Sequence, residues 1–232
     1  MNRQEFITKV KGRGRIELMR LRKWRLIRKV KAKKKARAAI PQTYTETPSL
    51  SLIIQSFNHR GNIPGIVAGV RRTAAEELIV CEDGSVDGSD AAWRKLMDRP
   101  NDFLVQSNDL HEIRTYNRAV SLARGEFVAL MQDDDIPPED GRWVSDAISL
   151  FRAHPEVGVL GCWNGCAVVE GGDLVYPAGA SELSANDIAT LDPQTGLPFS
   201  FVDAVWIGPL FFRRDAFLEL GGFDLRFSGP GE

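Results

Sequence analysis

The stretch Phe127-Val-Ala-Leu-Met131 is an uninterrupted apolar run, and Gln132-Asp133-Asp134-Asp135 follows it directly. A short apolar run without alternation is typical of a strand buried on both faces of a sheet. Three adjacent carboxylates repel one another unless a cation lies among them. Oxygen ligands of this kind suit Mg²⁺ or Mn²⁺ bound together with substrate phosphates, so the strand end is a candidate metal site. The alternative is a solvated acidic turn before Pro137-Pro138.

The chain on both sides of this stretch alternates short apolar runs with amphipathic segments. Strands are predicted at residues 50–54, 78–81, 103–106, 127–131 and 157–160, and helices at about 62–75, 89–97, 112–123 and 143–152. This alternation indicates an α/β fold with a mostly parallel central sheet flanked by helices. Later in the chain, the pattern predicts a hairpin at 167–176, a long loop at 177–200, a strand at 201–207 and a short helix from Asp215 to Gly221-Gly222.

Polar side chains follow three of the predicted strands. They form the segments Gln55-Ser56-Phe57-Asn58, Glu82-Asp83-Gly84-Ser85 and the acidic end of the 127–131 strand. Ligands of open α/β sheets bind beyond the carboxyl ends of the strands. These three segments are therefore expected to meet at one binding edge of the sheet.

Positive charge is concentrated at the beginning of the 232-residue chain. Residues 1–40 hold sixteen of its 30 Lys and Arg residues but only two of its 31 Asp and Glu residues. Apolar residues recur among these charges at Ile16, Met19, Leu21, Trp24, Ile27 and Val30. The pattern predicts a basic amphipathic arm that contacts an anionic membrane surface, with a solvated tail or a helix packed on another domain as alternatives. Residues 41–48 read as a linker, and no nucleic acid partner is expected because the remaining body is acidic.

Three classes of protein are excluded by composition and patterning. No run approaches the roughly 18 apolar residues of a membrane span, and no secretory signal core is present in residues 1–40. The expected location is therefore the cytoplasm, with the arm at the inner face of the membrane. The three cysteines cannot form a disulfide framework and are expected to be ordinary buried thiols.

Four segments together resemble the family 2 glycosyltransferases of the GT-A fold. They are residues 52–58, 79–89, 123–135 and 208–224, in the order and spacing of that family. The resemblance covers about residues 49–232. It implies a GT-A-like nucleotide-sugar-binding and catalytic domain over this range, preceded by the arm and linker, with its C-terminal part expected to be missing.

The resemblance implies roles for residues at the first two strand ends. Phe57 stands where the family often has a Tyr that contacts the nucleotide base, and Gln55 precedes it at the same strand end. Asp83 stands on the second carboxylate of the family's Asp-Asp-Gly-Ser, which contacts the nucleoside. Glu82 replaces the first Asp and keeps its charge. All four residues are implied to bind substrate.

At the third strand end the resemblance implies the metal. Asp133 and Asp135 match the Asp-x-Asp motif that holds Mn²⁺ or Mg²⁺ and the diphosphate, and Asp134 is implied to bind substrate. In a second register, Gln132 occupies the first acidic position of a longer family pattern. Asn117 matches a recurrent Asn of the family, with no role assigned to it.

The implied reaction moves a sugar from a nucleotide diphosphate-sugar, expected to be UDP-linked, to a hydroxyl of a carbohydrate or lipid-linked acceptor. It inverts the configuration of the anomeric carbon, and a carboxylate base takes the acceptor proton. The process that the resemblance implies is polysaccharide biosynthesis. The family places that base after its Gly-Gly-Phe-Asp segment, so Glu232 is the candidate unless the base lies beyond it. The alternative function is a catalytically incomplete module that binds a sugar nucleotide or a partner.

Overall fold

The computed structural model describes residues 48–162, 166–170, 173–175, 190–199 and 204–227. The chain divides into two compact units, Met1–Thr45 and Glu46–Glu232, and the described residues all belong to the second. The predicted arm, nearly all of the predicted linker, and Glu232 lie outside the described residues. No described helix has both the length and the apolar character needed to span a bilayer.

A six-stranded sheet forms the centre of this unit. In chain order its strands are β1 (Leu50–Ser56), β2 (Glu77–Glu82), β3 (Asp102–Gln106), β4 (Phe127–Gln132), β5 (Val159–Gly161) and β11 (Leu210–Arg213). Their spatial order is β3-β2-β1-β4-β11-β5, in which the first four are parallel and β11 runs antiparallel to both of its neighbours. The predicted mostly parallel sheet is confirmed, whereas β11 is an additional strand.

Helices cover both faces of the sheet. They are α1 (Ile63–Arg71), α2 (Ser89–Leu96), α3 (Glu112–Leu122), α4 (Trp143–Ala153) and α5 (Arg214–Leu220), with a short 3₁₀ turn at Leu225–Phe227. Trp93 and Phe151 lie in the core on one face, and Tyr116 and Val120 lie in the core on the other. The five predicted helices are confirmed, because each presents an apolar stripe at helical spacing to one of these cores.

The smaller strands lie beyond β5. A hairpin pairs β6 (Cys166–Glu170) with β7 (Asp173–Val175), as predicted, and β10 (Ala204–Val205) pairs with β6. The predicted strand at 201–207 is described only at this two-residue β10. Cys81 is a buried free thiol, as expected, whereas Cys162 is only half-buried.

The predicted loop at 177–200 is wrong in its last part. There β8 (Thr190–Leu191) and β9 (Pro198–Phe199) form a short hairpin whose turn is organised by Asp192. The Asp192 carboxylate accepts hydrogen bonds from Thr195 and lies 2.7 Å from His154 Nε2 at the end of α4. These bonds, first those of Thr195, lower the pKa of Asp192 to about 2, and the bond to Asp192 raises the pKa of His154.

Helix α3 is fixed at its middle to the segment that follows α5. The Asn117 side-chain amide donates to the carbonyl of Phe223 at 2.9 Å and accepts from its N–H at 2.8 Å. Gly222 has φ +83°, and a Cβ there would lie 2.4 Å from Asn117 Oδ1. Asn117 therefore holds the Gly221-Gly222 turn of the 208–224 segment, which gives this residue a structural role.

Candidate nucleotide-sugar site

A cavity of about 200 Å³ lies at the carboxyl edge of the parallel strands, beside the first turn of α3. It is lined by Gln55, Phe57, Asp83, Asp109, His111, Glu112 and Gln132. The register of the sheet pairs Gln55 with Gln132, so the ends of β1 and β4 present two amides side by side. Three of the predicted substrate contacts, Gln55, Phe57 and Asp83, thus meet in one cavity.

Phe57 offers an aromatic ring to the cavity mouth. Its side chain is 47% exposed. Its backbone N–H donates to Asp133 Oδ2 at 2.7 Å, so the β1 end is tied to the β4 end. A fixed, half-exposed ring of this kind can stack on a planar heterocycle.

The neighbouring carboxylates Glu82 and Asp83 bond to different segments of the chain. Asp83 is buried at the cavity wall and accepts hydrogen bonds from the N–H groups of Leu110 and His111, at 3.0 and 3.1 Å. Glu82 accepts from the N–H groups of Gly84 and Ser85 within its own turn. The structure therefore places Asp83 at the cavity but does not bring the predicted contact Glu82 to it.

The segment between β3 and α3 completes the cavity and was missed in the sequence. Asn108, Asp109 and His111 have φ values of 56°, 63° and 61°, a left-handed conformation that costs about 1–3 kcal/mol for each non-glycine residue. Asp83 stabilises this conformation through its two bonds to the loop. Ser107-Asn108-Asp109 is a turn signal, since Asn and Asp tolerate the left-handed conformation, but it does not indicate that the turn lines a cavity.

The three aspartates after β4 differ in their surroundings. Asp133 and Asp135 are each 4% exposed, whereas Asp134 is exposed to solvent. Asp133 accepts from the Phe57 N–H and lies 2.7 Å from His59 Nδ1, and Asp135 accepts from the Gln132 N–H at 2.8 Å. The hydrogen bond to Asp133 raises the pKa of His59.

The donor set fits a divalent cation that is shared with a ligand. Within the described residues, no three His, Cys, Asp or Glu side chains converge as a preformed metal cage. Mg²⁺ and Mn²⁺ bound with substrate phosphates need only one or two protein carboxylates, however. The cavity lining carries the carboxylates of Asp83, Asp109 and Glu112, and among these described lining residues only His111 can become positively charged. The carboxylates of this lining would repel a diphosphate and attract a cation.

Glu112 and Gln132 form a direct contact that the sequence did not reveal. Gln132 Nε2 donates to Glu112 Oε1 at 2.8 Å. The two residues are twenty positions apart and belong to different elements, β4 and α3. No motif joins them, so only the crossing of α3 over the sheet could have shown their contact.

Comparison with known sequences places these features in a family. The Glycosyl transferase family 2 profile matches residues 51–176. The putative glycosyltransferase EpsH of Bacillus subtilis is 30% identical over 95 residues, which is 39% of this chain and 27% of that protein. The GalNAc(5)-diNAcBac-PP-undecaprenol beta-1,3-glucosyltransferase of Campylobacter jejuni is 26% identical over 132 residues, which is 55% of this chain and 41% of that protein. The chain spans less than half the length of the curated relatives it matches.

Solved structures share the fold. The mannosyltransferase PcManGT from Pyrobaculum calidifontis, in complex with GDP-Man and Mn²⁺, aligns with a TM-score of 0.54 and 19% identity over 78% of this chain and 48% of that chain. Residues 1–349 of TarS from S. aureus, in complex with UDP-GlcNAc, align with a TM-score of 0.52 and 19% identity over 76% of this chain and 48% of that chain. The predicted GT-A-like fold is confirmed by these alignments.

Proposed function

Because the chain belongs to the family 2 glycosyltransferases, we propose that it transfers a sugar from a nucleoside diphosphate-sugar to an acceptor hydroxyl. The observation that carries this proposal is the cavity at the carboxyl edge of the sheet. There the exposed ring of Phe57, the buried carboxylate of Asp83 and Gln132 at the end of β4 meet, and the three aspartates that follow Gln132 lie next to this lining in the sequence. This combination suits the three parts of such a donor, which are a planar base, a polar ribose and a diphosphate.

The nucleoside is proposed to lie between Phe57 and Asp83. The ring of Phe57 would stack on the base, and Asp83 and Gln55 would accept or donate hydrogen bonds to the nucleoside. Asp83 uses its carboxylate oxygens to accept from the 108–111 loop, and each oxygen can accept a second bond. We propose UDP as the nucleotide, in keeping with the TarS complex that contains UDP-GlcNAc.

The diphosphate is proposed to lie at the end of β4 together with Mn²⁺ or Mg²⁺. We rank Asp134 first among the ligands because its carboxylate is exposed, whereas the motif-based candidates Asp133 and Asp135 are buried and bonded to protein groups. The Gln132 amide oxygen is a further candidate at this strand end. A divalent cation bound here would neutralise diphosphate charge and make the nucleotide a better leaving group.

Transfer is proposed to proceed with inversion. The acceptor oxygen attacks the anomeric carbon on the face opposite the diphosphate, and the new glycosidic bond forms as the bond to the phosphate oxygen breaks. The acceptor proton passes to a carboxylate base, for which Glu232 remains the candidate outside the described residues. A carbohydrate or lipid-linked acceptor is proposed, in keeping with the undecaprenol-linked substrate in the name of the Campylobacter jejuni relative.

Calorimetry of the whole chain with UDP and GDP, each with and without MnCl₂, tests the donor site. We expect UDP to bind more tightly than GDP, and only with the metal. Asp134→Asn should remove the Mn²⁺-dependent part of the UDP affinity without lowering the melting temperature. Asp133→Asn and Asp135→Asn change buried residues, and each should lower both the Mn²⁺-dependent affinity and the melting temperature. Unchanged Mn²⁺-dependent affinity in all three variants would contradict the metal site. Release of UDP from UDP-sugars in the presence of acceptor would then separate an enzyme from a binding module.

The basic arm is proposed to hold the protein at an anionic membrane surface. Residues 1–40 carry sixteen Lys and Arg residues, each of which contributes about 1 kcal/mol near anionic lipid. Deleting residues 1–40 should abolish binding to anionic vesicles at low salt and leave UDP affinity unchanged. Continued sedimentation of the shortened protein with such vesicles would contradict this role.

A further inference from the structure

We infer that Glu112 is a positioning residue of the nucleotide site, which orients the Gln132 amide so that its oxygen faces the cavity. The inference rests on the proposed function and adds a residue from α3 to the β4 end. It explains how a neutral side chain can serve where the family pattern, in its longer register, carries an acidic one.

Gln132 lies where β4 ends and the three aspartates begin. It is the last residue of β4, opposite Gln55 of β1, and it directly precedes the three aspartates. Its side chain lines the cavity, and its backbone N–H is bonded to Asp135. The backbone is thus fixed, and rotation of the side chain is the remaining freedom.

The contact with Glu112 determines which end of the amide faces the cavity. A carboxylate only accepts hydrogen bonds, so the atom of Gln132 that lies 2.8 Å from Glu112 Oε1 must be the NH₂ nitrogen. The amide oxygen then lies on the other side of the group. Among the described residues no hydrogen-bond partner for that oxygen is found, and it is therefore available to a cation or to a donor group of a ligand.

Glu112 itself is held by a rigid element. It begins α3, and one turn later the hydroxyl of the buried Tyr116 donates to the Met131 carbonyl at 2.9 Å, beside Gln132 in β4. The preceding residue His111 is fixed through its N–H to Asp83. Two independent anchors thus set the distance between the Glu112 carboxylate and the β4 end.

The amide of Gln132 offers an oxygen without adding a fourth negative charge to the three aspartates after it. Glu112 contributes by holding that amide in one orientation through its hydrogen bond, and not by a contact of its own with the ligand. The effect therefore acts on metal-bound diphosphate and not on the base.

A double-mutant cycle on the whole chain tests this inference. Glu112→Ala, Gln132→Ala and the double variant are titrated by calorimetry with UDP in MnCl₂, and melting temperatures are measured without ligand. Each single variant should weaken Mn²⁺-dependent UDP binding about tenfold, and the double variant no further, because Glu112 acts through Gln132. Glu112→Gln should restore most of the affinity, since the new amide oxygen can accept the same hydrogen bond. Glu126→Ala, an equal charge change at the opposite end of β4, serves as the control.

Several outcomes would overturn the inference. Additive losses would show that Glu112 contacts the ligand independently of Gln132. Equal losses in Glu112→Gln and Glu112→Ala would show that only charge matters. A lowered melting temperature with unchanged affinity would show a purely structural role. If the wild-type chain binds no nucleotide diphosphate, the proposed function fails and this inference fails with it, whereas wild-type binding with unaffected variants refutes the inference alone.

Discussion

Replacing Asp83 by Ala tests whether one buried carboxylate both holds a strained loop and serves the ligand. In the structure this carboxylate accepts the N–H groups of Leu110 and His111, at 3.0 and 3.1 Å. Between them these bonds maintain a loop in which Asn108, Asp109 and His111 adopt left-handed φ values. Removing the carboxylate leaves the strain without its compensation.

The expected loss of stability can be estimated from these two bonds. A hydrogen bond to a charged group contributes about 1.5–3 kcal/mol. His111 is exposed and Leu110 half-buried, so water can reach the released N–H groups, and we take the low end of about 3 kcal/mol for the pair. In a chain of this size, about 2–4 °C of melting temperature corresponds to each kcal/mol, which gives a decrease of about 6–12 °C. Asp83→Asn keeps one acceptor oxygen and should lose about half as much.

Thermal melts without ligand and calorimetry with UDP and MnCl₂ measure the two effects together. Asp83→Ala should also weaken UDP binding about tenfold or more, because the loop carries Asp109 and His111 into the cavity. Asp98→Ala is the matched control, since its side chain is 79% exposed and does not line the cavity. A wild-type melting temperature in Asp83→Ala would refute the anchoring argument, and intact UDP affinity would refute the ligand role.

Two further predictions concern the rest of the fold. Gly222→Ala should lower the free energy of unfolding by about 3 kcal/mol, because its Cβ strains a left-handed φ and displaces the Asn117 amide. Gly221→Ala, with open space around its Cβ, should lower it by only about 1 kcal/mol. Equal losses of the two variants in chemical denaturation would contradict this. The bond between His154 and Asp192 predicts a melting temperature that is highest between about pH 4 and 6.5. The stability that comes from the raised pKa of His154 is lost as pH rises through that pKa. The stability that comes from the lowered pKa of Asp192 is lost as pH falls toward 2. If His154→Gln still loses stability at alkaline pH, the assignment to His154 is contradicted.

The sequence predicted the parallel part of the sheet because each of its strands is a short apolar run that ends at polar residues. Strand β11 was not predicted, since its four residues Leu210–Arg213 pass directly into α5 and no boundary in the sequence separates the strand from the helix. The β8–β9 hairpin was also missed. Its turn is closed by local bonds of Asp192 to Thr195 and Gly196, but each of its strands is only two residues long, too short to give an alternating pattern.

Part of the candidate site was predicted because its residues follow the same apolar strands. Gln55, Phe57 and Asp83 follow apolar strands, and the carboxyl ends of parallel strands meet at one edge. Glu82 was predicted to contact the substrate together with Asp83 because the two residues are adjacent in the sequence. In the structure, however, only Asp83 lines the cavity, because Glu82 bonds to the N–H groups of its own turn. His111 and Glu112 come from a connection whose path depends on Asp83, so no local pattern could identify them.

Helix α3 is the element that joins these observations. Its first residue, Glu112, contacts the β4 end, Tyr116 bonds to Met131 within β4, and Asn117 holds the turn at Gly222. At a rise of 1.5 Å per residue, Glu112 and Asn117 lie only about 7.5 Å apart along one rigid axis. The cavity and the segment after α5 are therefore fixed to the same helix. The recurrent Asn, to which the sequence assigned no role, is bonded to that segment, and its position in α3 ties the segment to the cavity.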